Sequence, residues 1–150
     1  MEQEVGSTAK YILTAVGNGV HPYYRNLPEN FQYPAVYFPV PEVDTSNATF
    51  DTYFSDYLLM VTFFHASKQD AYELALTALT AIKQNRNLVP LLDNSGKQIG
   101  SKYLRLKDPK IRCTSENTAV LVISFTTRKP YTDNRGRLIT SFYTNQYLKK

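Results

Sequence analysis

The chain has 150 residues, 43% hydrophobic and 20% charged, with a net charge of +4. This length suits one domain that can bury a core without staples, and the composition is that of an ordinary soluble globular protein. No apolar run approaches the roughly 18–20 residues that a membrane span needs, and the single cysteine, Cys113, excludes an internal disulfide.

The N-terminal stretch MEQEVGSTAK has neither a basic n-region nor an apolar h-region, so a cytosolic chain is expected. In that compartment the sequon Asn47-Ala48-Thr49 carries no meaning. Tyrosine is in excess, with 12 Tyr and 8 Phe against no Trp. A large ring with a polar tip suits half-buried strands and protein interfaces alike. The charge is unevenly spread. Residues 1–75 hold three Lys/Arg against nine acids, a net of −6, and residues 76–150 hold fourteen against four, a net of +10. Such a split fits nucleic-acid contact or charge-complementary association, unless the two halves interleave on the folded surface.

In chain order, residues 3–16 read as a helix. Val5, Ala9, Ile12, Leu13 and Val16 form one apolar stripe, and Gly17-Asn18-Gly19 supplies the stop. Residues 20–33 read as irregular, with Pro22 and Pro28 among aromatic side chains. In Pro34–Pro41 proline alternates with apolar residues, which predicts a short edge strand or an extended segment. Residues 43–49 are polar and read as a loop. Phe50 to His65 is the longest strand, with Tyr53, Tyr57, Leu59, Val61 and Phe63 on one face. Phe54, Leu58, Met60 and Phe64 occupy the other face. Apolar on both sides, this strand is expected to be central or to be covered on its second side by a partner.

Ser67 is placed to cap a second helix at Asp70. Ala71, Leu74, Ala75, Ala78, Leu79 and Ile82 then make a strong core stripe over residues 68–83, ended by Asn85-Arg86-Asn87. Residues 88–92 and 98–106 read as strands around the turn Asp93-Asn94-Ser95-Gly96, and Asp108-Pro109 reads as a further turn. Residues 110–114 and 118–128 read as a hairpin, with Ala119, Leu121, Ile123 and Phe125 lining one face. The resulting expectation is an α+β fold. It consists of an antiparallel sheet of four to five strands with two helices packed on one face, forming a single domain over 1–130. Residues 131–150 lack a clean period and read as a C-terminal arm that packs on another subunit. Tyr131, Arg135, Arg137, Phe142, Tyr143 and Tyr147 are its candidate protein-interface residues.

No pattern for catalysis appears. His21 sits beside Pro22, His65 ends an aromatic strand, and neither belongs to a cluster with metal-ligand spacing. There is no nucleophile elbow, phosphate loop or dinucleotide fingerprint, and six glycines give a phosphate cradle little material. Asp51 and Asp56 read as carboxylates on a solvated strand end. The expectation is a protein that is not an enzyme and has no cofactor or metal. One binding pattern competes with a purely structural role. Lys102, Arg105, Lys107, Lys110 and Arg112 interleave with Tyr103, Leu104 and Leu106, as a basic strand face would that neutralises phosphates while Tyr103 stacks a base. The aromatic signature of RNA-recognition sheets is absent.

The run Tyr24-Arg25-Asn26-Leu27-Pro28, then Phe31 and Pro34-Ala35-Val36-Tyr37-Phe38, is followed by the long strand and the helix that opens Gln69-Asp70-Ala71-Tyr72. This layout, spanning about residues 3–128, resembles the tail-terminator (tail-completion) proteins of long-tailed bacteriophages and prophages. The resemblance implies a homo-oligomeric ring, usually a hexamer, that caps the finished tail tube and stops its elongation. Such a ring joins the tail to a head-side connector or stopper protein and lets DNA pass through its lumen without sequence-specific binding. It also implies residence in the tail or neck of a virion assembled in the host cytoplasm, with no membrane partner. Alternatives are another neck component, such as a head-completion or stopper protein, and a small basic nucleic-acid-binding module.

Overall fold

The computed structural model describes residues 2–115 and 117–132, with the side chains of 113–115 left aside. The elements are α1 (Gln3–Val16), β1 (His21–Tyr24), β2 (Ala35–Phe38), β3 (Glu42–Asn47) and β4 (Thr52–Phe64). They continue with α2 (Lys68–Gln84), β5 (Leu88–Leu92), β6 (Gln98–Arg105), β7 (Lys107–Ser115) and β8 (Thr118–Pro130). The chain is α+β. Its main sheet has six strands in the order β1-β2-β4-β8-β7, with β3 also pairing β4, and β5 and β6 form a separate two-stranded sheet.

Two compact units share these strands. The larger contains the residues up to Val43 together with Tyr57–Phe125, and the smaller contains Asp44–Asp56 and the described residues from Thr126 onward.

The core lies in the larger unit and is built on strand alternation. Tyr57, Leu59, Val61 and Phe63 of β4 are all buried, as are Ala119, Leu121, Ile123 and Phe125 of β8. Val5, Ala9 and Ile12 of α1 and Ala71, Ala75, Ala78 and Ile82 of α2 join them in one cluster, so both helices pack on the same face. Ala71, Ala75 and Ala78 are fully buried. A small side chain lets the helix axis approach the sheet closely, so the aromatic and branched residues of the strands fill the intervening space. Tyr57 stacks on Phe125 with ring centroids 4.8 Å apart.

The helix ends follow the sequence signals. The Asp70 N–H donates to Ser67 Oγ at 3.2 Å, which satisfies one of the orphan donors of the first turn of α2. At the end of α1, Gly17 (φ +83°) returns its N–H to the Leu13 carbonyl at 3.1 Å. Polar bonds then tie α1 to its neighbours. Ser7 Oγ accepts from the Leu92 N–H at 2.9 Å, and Tyr11 Oη donates to the Ala81 carbonyl at 3.1 Å.

Several expectations are corrected. Residues 21–24, read as irregular, form β1, which pairs in parallel with β2 through His21↔Ala35 to Tyr24↔Phe38. The sheet therefore has a parallel pair and six strands, where four or five antiparallel ones were expected. The Pro34–Pro41 segment is not an edge. Its prolines flank β2 and leave Ala35–Phe38 free of them, so β2 bonds to β1 on one side and antiparallel to β4 on the other. Residues 42–47, read largely as loop, form β3, a strand exposed at all six positions. With no buried face it has no hydrophobic alternation to betray it. Asp108-Pro109 is not a turn but an irregularity within β7, where Asp108 adopts φ +41° and the register with β8 shifts between Lys107 and Lys110. The 131–150 arm lies outside the described residues except for 131 and 132.

The β5–β6 connection is held by Asp93. Its Oδ1 accepts from the Ser95 N–H at 2.9 Å, Ser95 Oγ at 2.6 Å and the Lys97 N–H at 3.0 Å, while Gly96 takes φ +84°. These donors, the Ser95 hydroxyl foremost, hold the Asp93 carboxyl below its ordinary value of 3.8.

Two outcomes are expected. Ile82→Ala, which empties a fully buried site, lowers stability by about 2–5 kcal/mol in chemical denaturation without changing the far-UV spectrum. The Asp93 carboxyl is lowered in the folded state, so its contribution to stability is complete above the ordinary Asp range. That contribution disappears as pH falls through the lowered value. Ser95→Ala moves the Asp93 titration upward toward 3.8, read by carboxyl NMR.

Candidate interaction surfaces

Burying one face of the main sheet under two helices leaves the opposite face to be accounted for. In the larger unit this second face carries Leu58, Met60, Thr62 and Phe64 of β4. Ala35 and Tyr37 of β2 lie opposite Phe64 and Thr62. At the β2 end the loop after β1 folds over it, with the Phe31 ring 4.7 Å from that of Phe64 and Tyr33 set edge-on to Phe31 at 5.2 Å. Toward its centre the face is open. Met60 is 39% exposed, and Leu58 and Thr62 are half-buried. Neither helix contributes its buried stripe here, since both stripes belong to the core cluster on the other face.

The far border of this face is basic. In β7, Lys107 lies opposite Ser124, Lys110 opposite Val122 and Arg112 opposite Val120. Directly opposed residues share a face in an antiparallel pair, so the three cations rim the open face. Lys110 and Arg112 have no carboxylate within 4.0 Å among the described residues. The structure thus brings together three of the five cations singled out in the sequence. Lys102 and Arg105 are on β6, in the two-stranded sheet, and alternation turns them to opposite sides of that strand. Tyr103, 50% exposed, lies opposite Pro90.

In the smaller unit, Tyr131 is the one arm-interface candidate among the described residues; Arg135, Arg137, Phe142, Tyr143 and Tyr147 lie outside them. Its N–H donates to the Asp51 carbonyl at 3.0 Å, its hydroxyl bonds Asn47 Oδ1 at 3.1 Å, and its ring lies 5.3 Å from that of Tyr53. These groups and Thr45 and Ser46 border an open depression of about 290 Å³. Beside them the Arg128 guanidinium sits over the Phe54 ring at 5.1 Å, and Thr126 Oγ1 donates to Asp56 Oδ1. The contributions from β3 had no counterpart in the sequence reading, because that strand carries no apolar alternation.

His65 accepts the Ala66 N–H at Nδ1, 2.8 Å away. Asp70 Oδ2 is 3.7 Å from the same atom. Among the described residues no group of three or more His, Cys, Asp or Glu is gathered as a metal site would require, and no helix is long and apolar enough to cross a membrane.

No protein-family model matches the chain. Individual relatives do. The phage-like element PBSX protein XkdJ of Bacillus subtilis (strain 168) is 32% identical over 131 residues, covering 87% of this chain and 88% of that protein. The chain belongs to the XkdJ family. Protein YqbJ of the same strain is 30% identical over 142 residues, 95% of each chain. Among solved structures, a chain of the virion of a native gene transfer agent particle aligns with a TM-score of 0.49. It is 11% identical in sequence, and the alignment covers 85% of this chain and 94% of that one.

Proposed function

We propose that the chain is a structural protein of a phage-type particle, and within that particle the tail terminator. The observation that carries the particle assignment is the 32% identity to a protein of the phage-like element PBSX over most of both chains. The terminator role adds the order of elements, from first helix through long strand and capped helix to hairpins, that tail-completion proteins share. On this reading the protein works by docking and has no catalytic role. Subunits join into a ring, on the order of six, on the end of the tail tube. They stop addition of tube protein and present a second surface to the head-side connector or stopper, while DNA passes through the lumen. The half-open sheet face supports such a role, since a side chain like Met60, left partly exposed within an apolar strip, gains by being covered.

Deleting the gene from an inducible prophage is expected to yield tails of abnormal length and heads without tails in negative-stain images, with restoration by the gene in trans. Joined particles of normal tail length in the deletion strain would overturn the terminator role.

A second reading is favoured by one specific observation, the placement of Lys107, Lys110 and Arg112 together along the open face. A surface that neutralises phosphates there predicts oligonucleotide binding that falls with salt at a log–log slope of about −0.7 to −0.9 per phosphate contacted. Lys110→Ala with Arg112→Ala is then expected to flatten the slope by about 1.4 to 1.8. Binding that ignores both substitutions would remove this reading.

A further inference from the structure

Three strands of the main sheet, β1, β3 and β7, each have one strand partner among the described strands; β1 carries no Lys, Arg, Asp or Glu, while β3 and β7 carry opposite charges. β3 pairs only with β4 among the described strands, is exposed throughout and carries Glu42 and Asp44. β7 pairs only with β8 and carries Lys107, Lys110 and Arg112 against the single acid Asp108. Among the described residues, neither Glu42 nor Asp44 has a cation within 4.0 Å, just as Lys110 and Arg112 have no carboxylate. A free edge is a row of unpaired backbone donors and acceptors, and it pairs with another strand unless something forbids it.

Here the charges select the partner. Setting β3 against a second β3 places carboxylates beside carboxylates, and setting β7 against a second β7 places cations beside cations. Like charges directly opposite one another destabilise a pair of strands. Only β3 against β7 brings opposite signs together. The spacing also matches. Glu42 and Asp44 are two residues apart, as are Lys110 and Arg112, so each pair projects from one side of its strand at a pitch of about 7 Å. The irregularities at Lys107–Lys110, with Pro109 lacking an N–H, and at Arg112–Ser115 limit regular pairing to Lys110–Arg112.

We infer that a second copy of this chain covers the β7 edge with its own β3 edge, the carboxylates of Glu42 and Asp44 facing the cations of Lys110 and Arg112. This deepens the reading of the chain as a ring subunit and rests on it. The contact is heterologous: each copy offers one acidic and one basic edge, so association runs head-to-tail and a two-fold dimer through either edge is disfavoured. Heterologous contacts close into a ring when the rotation per copy permits.

Charge reversal tests this directly. The variants are E42K/D44K, whose two edges are both basic, and K110E/R112E, whose two edges are both acidic. Both are checked for folding by circular dichroism and thermal melting, then compared with wild type by sedimentation velocity across protein and salt concentration. Wild type is expected to self-associate and to weaken with salt. Each variant alone is expected to weaken association by roughly tenfold or more. An equimolar mixture is expected to recover it, because the copies can then alternate. The four-fold variant E42K/D44K/K110E/R112E should recover it unmixed.

Folded variants that associate like wild type, a mixture that does not recover, or a wild type that stays monomeric to millimolar concentration would each overturn the inference. Co-sedimentation of wild type with purified tail tubes is run in parallel. Tube binding together with any of those overturning results sinks the edge pairing alone. Charge-swap recovery without tube binding sinks the terminator assignment alone.

Discussion

The core of the larger unit is arranged around one buried sheet face. Tyr57, Leu59, Val61 and Phe63 of β4 alternate inward beside Ala119, Leu121, Ile123 and Phe125 of β8, and together they form the floor on which both helices sit. That floor requires small residues above it. Ala71, Ala75 and Ala78 let α2 lie close, and Ile82 fills the gap at its far end. Ser7 and Tyr11 then fix α1 against the Leu92 N–H and the Ala81 carbonyl. The aliphatic and aromatic side chains supply most of the free energy, at about 25 cal/mol per Å² of apolar surface removed from water. The hydrogen bonds contribute geometry more than energy, since each replaces a bond to water.

Covering one side of a sheet creates a second side, and here it is only partly covered. The Phe31–Tyr33 loop shields the Phe64 end, while Met60 remains open and β7 rims the face with cations. Strands β3 and β7 carry charges of opposite sign, and Glu42, Asp44, Lys110 and Arg112 have no counter-ion within 4.0 Å among the described residues. The proposed place in a phage-type particle would cover such a surface, which a monomer leaves open to water.

Legibility varied with the strength of the local signal. The two helices were readable because their stripes are long and their ends carry chemical stops: Ser67 before α2 and Gly17 after α1. The Asp93–Gly96 turn and the β7–β8 hairpin were readable for the same reason. Strand β3 was not, since Glu42–Asn47 has no inward face and is held only by the backbone of β4. Nor was the position of β2, because proline density describes where backbone donors are missing but not which four residues between them keep theirs. The basic cluster was half legible. The sequence named five cations, but the break after Arg105 sends Lys102 and Arg105 to a different sheet from Lys107, Lys110 and Arg112.

The sequence by itself determined the apolar faces of α1, α2, β4 and β8 and where each strong helix would start and stop. Those properties depend on periodicity and capping over a few neighbouring residues. The tertiary structure alone decided which elements meet: the parallel pairing of β1 with β2, the separation of β5–β6 from the main sheet, and the placing of an acidic and a basic strand at free edges. These depend on hydrogen bonds between backbone segments 14 or more residues apart in the chain. A backbone N–H or carbonyl is chemically the same at nearly every position, so a sequence cannot say which distant segment it will bond.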